Sequence, residues 1–148
     1  MNRSSSVGGT AYPYPACYHR RMSRYVLELH GARPWTSNAE RRWHHMERAN
    51  KVRDQREAFS WLAKAHEVPN LKAVVVHATP LAKDRRWRQD VGGCFPAVKA
   101  AIDGLVDRGV LQDDDPTFVK ALTFYPAEVG GVDGLRIELV EVVSDGDD

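Results

Sequence analysis
The chain has 148 residues, of which 43% are hydrophobic and 28% charged, which suits one domain with its own core and is too polar for a membrane protein. Its two cysteines, Cys17 and Cys94, have no Cys or His neighbour at ligand spacing, which excludes a disulfide framework and a zinc site. The net charge of +1 hides an asymmetry: through Lys99 eighteen Lys and Arg stand against eight Asp and Glu, and from Ala100 onward three stand against twelve. The first part suits phosphates and the second cations, unless the two fold onto each other as a paired surface.

In chain order, residues 1–22 are rich in Ser, Gly, Pro and Tyr and contain no apolar segment of signal-peptide or anchor type. They read as a mobile arm, and the protein as cytoplasmic. The segment RYVLELH, from Arg24 to His30, alternates with Tyr25, Leu27 and Leu29 on one side, as a half-buried strand does. Pro34 closes it. In the loop that follows, Thr36, Ser37 and Asn38 are N-cap candidates for a long helical pattern through Trp43, Met46, Val52, Phe59 and Leu62, with a polar interval around Asn50 that fits either a break in the helix or a loop before it. His44 and His45, being adjacent, point to different helix faces and are poorly placed to share one ion. Pro69 ends the pattern, and Leu71 to Thr79 is a β-branched run of strand type.

The stretch from Arg85 to Asp115 carries the chemistry. Arg85, Arg86, Trp87 and Arg88 fit a nucleic-acid contact, in which Arg forks onto phosphate and an aromatic ring stacks on a base, as readily as they fit a solvated turn. Asp90 follows, then Gly92 and Gly93, which permit a tight turn but form no phosphate-binding fingerprint. Pro96 suits the first turn of a helix running to Arg108, with Val98, Ile102, Leu105 and Val106 on one face and Gly109 as the C-terminal stop. Lys99 sits in the first turn of that helix, where the dipole disfavours a cation, and Asp103 is placed at i+4 to pair with it. Asp113, Asp114 and Asp115 repel one another unless a cation relieves them. By themselves they fit a solvated acidic turn; together with Asp90 they outline a site for a hard divalent ion, since magnesium takes oxygen ligands and needs only one or two protein carboxylates beside phosphate and water. The remainder, Phe118 to Tyr125 and Leu135 to Val143, reads as a hairpin across a Gly-rich loop, and residues 144–148 as an acidic tail.

The order strand, Pro-Trp-Thr-Ser-Asn loop, helix, strand, basic run with Asp90 and then VKAAIDGLVDRGVLQDDD resembles the RusA family of Holliday junction resolvases of bacteria and phages. The resemblance covers nearly everything from Tyr25 to Val143. Its most specific part runs from Lys99 through Asp103 and Gly109 to Asp113 and Asp114, similar to the family's lysine-bearing helix and the acid pair after it. It implies a small single-domain α+β fold over 23–143, a mixed sheet with helices packed against it, a homodimer, and magnesium-dependent cleavage of branched DNA, with manganese as a possible substitute. The family's Asp-x-Asp-Asn motif falls on Asp90, Val91, Gly92 and Gly93, so only the first acid is kept. Its lysine falls on Lys99, its later metal-binding acid on Asp114 with Asp113 beside it, and the Asn of its Pro-rich loop on Asn38.

On that resemblance Asp90, Lys99 and Asp114 are the expected catalytic residues, Asp90, Asp113 and Asp114 the expected metal ligands, and Asn38, Arg85, Arg86, Arg88 and Lys99 the expected DNA contacts. A catalytically weak branched-DNA-binding protein of the same fold is the alternative that Gly92 motivates. A protein-binding α/β domain using its charge asymmetry is a third.

Overall fold
A computed structural model of the chain describes residues 23–86 and 89–142. The expected arm at 1–22, Trp87 and Arg88 of the basic run, Val143 and the acidic tail lie outside the described residues. The elements are β1 (Arg24–His30), α1 (Ser37–Glu40), α2 (His45–Ala65), β2 (Val74–Ala82), α3 (Phe95–Arg108), β3 (Val119–Phe124), β4 (Glu128–Val129) and β5 (Gly134–Glu141). They form a small α+β domain on a five-stranded mixed sheet.

The sheet order is β1-β5-β2-β3, with β4 continuing alongside β2. β5 runs antiparallel to both β1 and β2, while β3 and β4 run parallel to β2. β2 is central, and eight of its nine residues are buried, as a strand with neighbours on both edges requires. That position overturns the expected hairpin. Both segments do contain strands, β3 and β5, but β2 lies between them. Because α3 returns the chain to the start of β2, β3 enters parallel to it, and β5 is left to fill the slot between β1 and β2.

Leu27, Val74, Val76, Ala78, Leu135, Ile137 and Leu139 make one face of the sheet into a core with Phe59 and Ala63 of α2 and Val98, Ala101, Ile102 and Leu105 of α3. A smaller cluster, Val75, Val140 and Val142, forms on the other face. The two helices approach closely at Gly104, where an added Cβ would lie 2.3 Å from the Arg56 carbonyl oxygen. Beside that crossing, Arg56 grips Asp107 through two hydrogen bonds of 2.7 and 2.9 Å, and Arg108 Nε donates to the carbonyl and hydroxyl of Ser60.

Two expected boundaries shift. The helical pattern is continuous through Asn50, whose side chain lies exposed on α2 and interrupts nothing. The break falls earlier, at 41–44, between a four-residue α1 capped by Thr36, whose hydroxyl accepts from the Ala39 amide, and α2, capped by His44 Nδ1 accepting from the Met46 amide at 3.2 Å. His44 is therefore a cap outside the helix. β2 begins at Val74 and runs past Pro80, because Pro80 falls where the neighbour strand changes from β3 to β4 and no ladder partner there needs its missing N–H.

Candidate functional site
The β2–α3 loop is laced to the loop before α1. Gln89 Nε2 donates to the Pro34 carbonyl at 3.2 Å, the Ser37 amide to the Gly93 carbonyl at 3.3 Å, and the Gly93 amide to the Asp90 carbonyl at 2.8 Å. The two glycines make this turn possible. Gly92 has φ of 84°, in the left-handed region, and an added Cβ on Gly93 would stand 3.0 Å from the Asp90 carbonyl oxygen. As a result Asn38, Arg42, Gln89 and the exposed Asp90 line one opening of about 510 Å³.

A second opening, of about 460 Å³, lies between α1, α2 and α3 and shares Ser37 with the first. Lys99 projects into it from the first turns of α3. Its Nζ donates to Asp103 Oδ1 at 2.6 Å and also to Asp114 Oδ2. Partial burial pulls the Lys99 pKa down, but the hydrogen bonds and charges of Asp103 and Asp114 outweigh it and hold the ammonium above its usual 10.5. In turn the Lys99 hydrogen bond holds the Asp114 carboxyl below 3.8, against a smaller opposing effect of burial. Lys99 is a cation at every physiological pH.

The three consecutive acids after α3 do not act as one cluster. Asp113 Oδ1 accepts from the Asp114 amide at 2.8 Å, Asp114 binds Lys99, and Asp115 Oδ1 accepts from the Thr117 amide at 2.7 Å while its carbonyl caps the turn into β3. Among the described residues no group of three His, Cys, Asp or Glu side chains is arranged to hold a metal ion. The expected ligands Asp90, Asp113 and Asp114 therefore form no preassembled cage. Their chemistry nonetheless fits magnesium: all are hard carboxylate oxygens, Asp90 and Asp113 are exposed, and this ion characteristically takes one or two carboxylates and draws its other ligands from phosphate and water.

Arg85 and Arg86 are exposed in the turn after β2, where the Arg86 amide donates to Asp84 Oδ1 at 2.8 Å. Arg88 lies outside the described residues. Cys94 is buried beneath the site, and burial pushes its thiol up to about 11, so it is inert filler. Glu40, Arg41, Arg42 and Arg48 line these openings; in the sequence they stand in a helical segment whose arginines fit pairing with nearby acids, with some able to touch phosphate, while Phe95 carried no sequence signal of a site role. The cap candidates Thr36 to Asn38 were the available signal for the first four.

No protein-family model matches the sequence, and comparison with curated proteins gives no match.

Proposed function
We propose that the protein is a structure-selective endonuclease that cuts Holliday junctions by magnesium-dependent phosphodiester hydrolysis, acting as a homodimer in the cytoplasm. The observation that carries the reading is the pair of adjoining openings, one lined by the exposed Asp90 with Asn38 and the other by the protonated Lys99, which Asp114 binds. A cation, a hydrogen-bonding amide and separated carboxylates next to arginines suit phosphodiester hydrolysis, and they include the positions at which the resemblance to RusA-type resolvases leads one to expect catalytic residues.

Asp90 and Asp114, with Asp113 beside the latter, would hold the magnesium ion together with a DNA phosphate. The ion supplies charge neutralisation on the phosphate and acidifies a water. The chain's own part is positioning and electrostatics. Lys99, kept charged by its two carboxylates, stabilises negative charge developing on the phosphate or the departing oxygen. Asn38 and Arg42 flank the Asp90 opening and orient the backbone, and Arg85 and Arg86 hold neighbouring phosphates without reading bases. Two copies related by a two-fold axis match a four-way junction cut at symmetry-related points.

Asp90→Asn should abolish nicking of a four-way junction while junction affinity survives; nicking at the parent rate would remove Asp90 from the chemistry. Gly92 supports a second reading, a branched-DNA-binding protein with weak cleavage, because the family's second acid is missing there. Asp is among the residues that tolerate the left-handed region, and a Cβ on Gly92 meets only the Phe124 ring, at 3.9 Å. Gly92→Asp should therefore fold and, on this second reading, raise the nicking rate; an unchanged rate in a folded variant would speak against it.

A further inference from the structure
The Lys99 opening has an apolar wall that phosphate chemistry does not use. Phe95 is 47% exposed, and it lines this cleft together with Val52 of α2 and Pro96. Its ring is supported from behind by Phe124, with ring centroids 6.2 Å apart, so it is held in place although half its surface meets solvent. Val91, 59% exposed, stands next to Asp90 on the same loop. Phe95 thus presents a held aromatic face inside the cleft, close to the Lys99 ammonium.

We infer that this cleft is a pocket for one unpaired nucleobase of the DNA substrate, stacked on Phe95 with its phosphate toward Lys99 and Arg41. The inference rests on the nuclease reading and adds the feature of the substrate that the protein selects. Charge supports it. Arg41, Arg48 and Lys99 line the cleft with Glu40 and Asp103, and Asp114 also binds Lys99, so three cations there meet three carboxylates and what matters is how they are paired. Glu40 is already held by Arg48 at 2.5 Å and by the Trp35 indole at 3.1 Å, and Asp103 by Lys99, so the unneutralised charge lies at the exposed Arg41. A cleft of about 460 Å³ is in the size range of small-ligand sites and admits one nucleotide, not a stacked duplex. Only a base already out of the helix, as at a branch point or bulge, enters without first being unstacked.

The test is the affinity, in chelator to prevent cleavage, for a fluorescent duplex carrying one unpaired base, for a four-way junction and for the matching linear duplex. The parent should prefer the bulged duplex over the linear one, and Phe95→Ala should lose about 10-fold of the bulged affinity while changing linear binding little. Phe95→Trp should keep the preference. Arg41→Glu, at an exposed position with no packing role, should weaken bulged binding more than linear binding even if Phe95→Ala loosens the fold. A folded Phe95→Ala protein with the parent's preference intact would overturn the base pocket while leaving the nuclease reading standing. A parent with no preference for bulged or branched over linear DNA would overturn both.

Discussion
At the scale of single residues, Lys99 is the centre of the site's electrostatics, and its pairing with Asp114 has a measurable signature. Asp114 titrates below its ordinary value in the folded protein, so its contribution to stability is present above about pH 4 and is lost as pH falls through the lower, folded value. For Lys99 the sign is opposite: its contribution is complete below 10.5 and is lost as pH rises through its higher folded value. Asp114→Asn should therefore reduce the acid-side fall in stability and cost about 1 kcal/mol or less at neutral pH, since the pair is partly exposed. Urea melts of parent and variant from neutral pH down to pH 3 would show it; identical acid limbs would mean that Asp114 is unpaired in solution. Lys99, Asp103 and their i+4 contact were legible from spacing alone. The contact from Lys99 to Asp114 was not, because nothing in the linear order shows that the chain after Gly109 folds back along α3.

At the scale of elements, the crossing of α2 and α3 sets the shape of the cleft, and it depends on the absence of a side chain at Gly104. Gly104→Ala would drive a methyl group into the Arg56 backbone, which cannot retreat without moving α2 and with it Arg48 and Val52 of the cleft wall. The expected cost is about 1–3 kcal/mol, read as a lower midpoint in thermal or denaturant unfolding, although alanine favours helix more than glycine does. An unchanged or raised midpoint would show that the helices stand further apart. Strand and helix positions were readable from period and caps: β1 falls where alternation put it, and α3 runs to Gly109, whose φ of 84° suits the left-handed stop. Strand pairing was not readable. The run at β2 signalled burial on at least one face, but which strands flank it depends on where α3 delivers β3, a tertiary fact that hairpin-like spacing between 118–125 and 135–143 obscured.

At the scale of the whole molecule, the charge asymmetry of the sequence is partly consumed within the fold. Arg24 pairs with Glu138, Arg33 with Asp133, Arg56 with Asp107 and Lys99 with Asp103 and Asp114, each joining the basic part of the chain to the acidic part. The paired-surface alternative thus accounts for these residues. It does not account for Arg41 and Arg42, which are exposed at the two openings, or for Arg85 and Arg86 in the turn leading to Asp90. These four arginines stand at or beside the proposed site, where a phosphate backbone would use them. The most direct measurement is the incubation of a labelled four-way junction and a matched linear duplex with the parent protein, in magnesium and in chelator. Paired, symmetry-related nicks are expected on the junction alone, present with magnesium and absent with chelator. Equal nicking of both substrates, or junction nicking that persists in chelator, would contradict the nuclease reading.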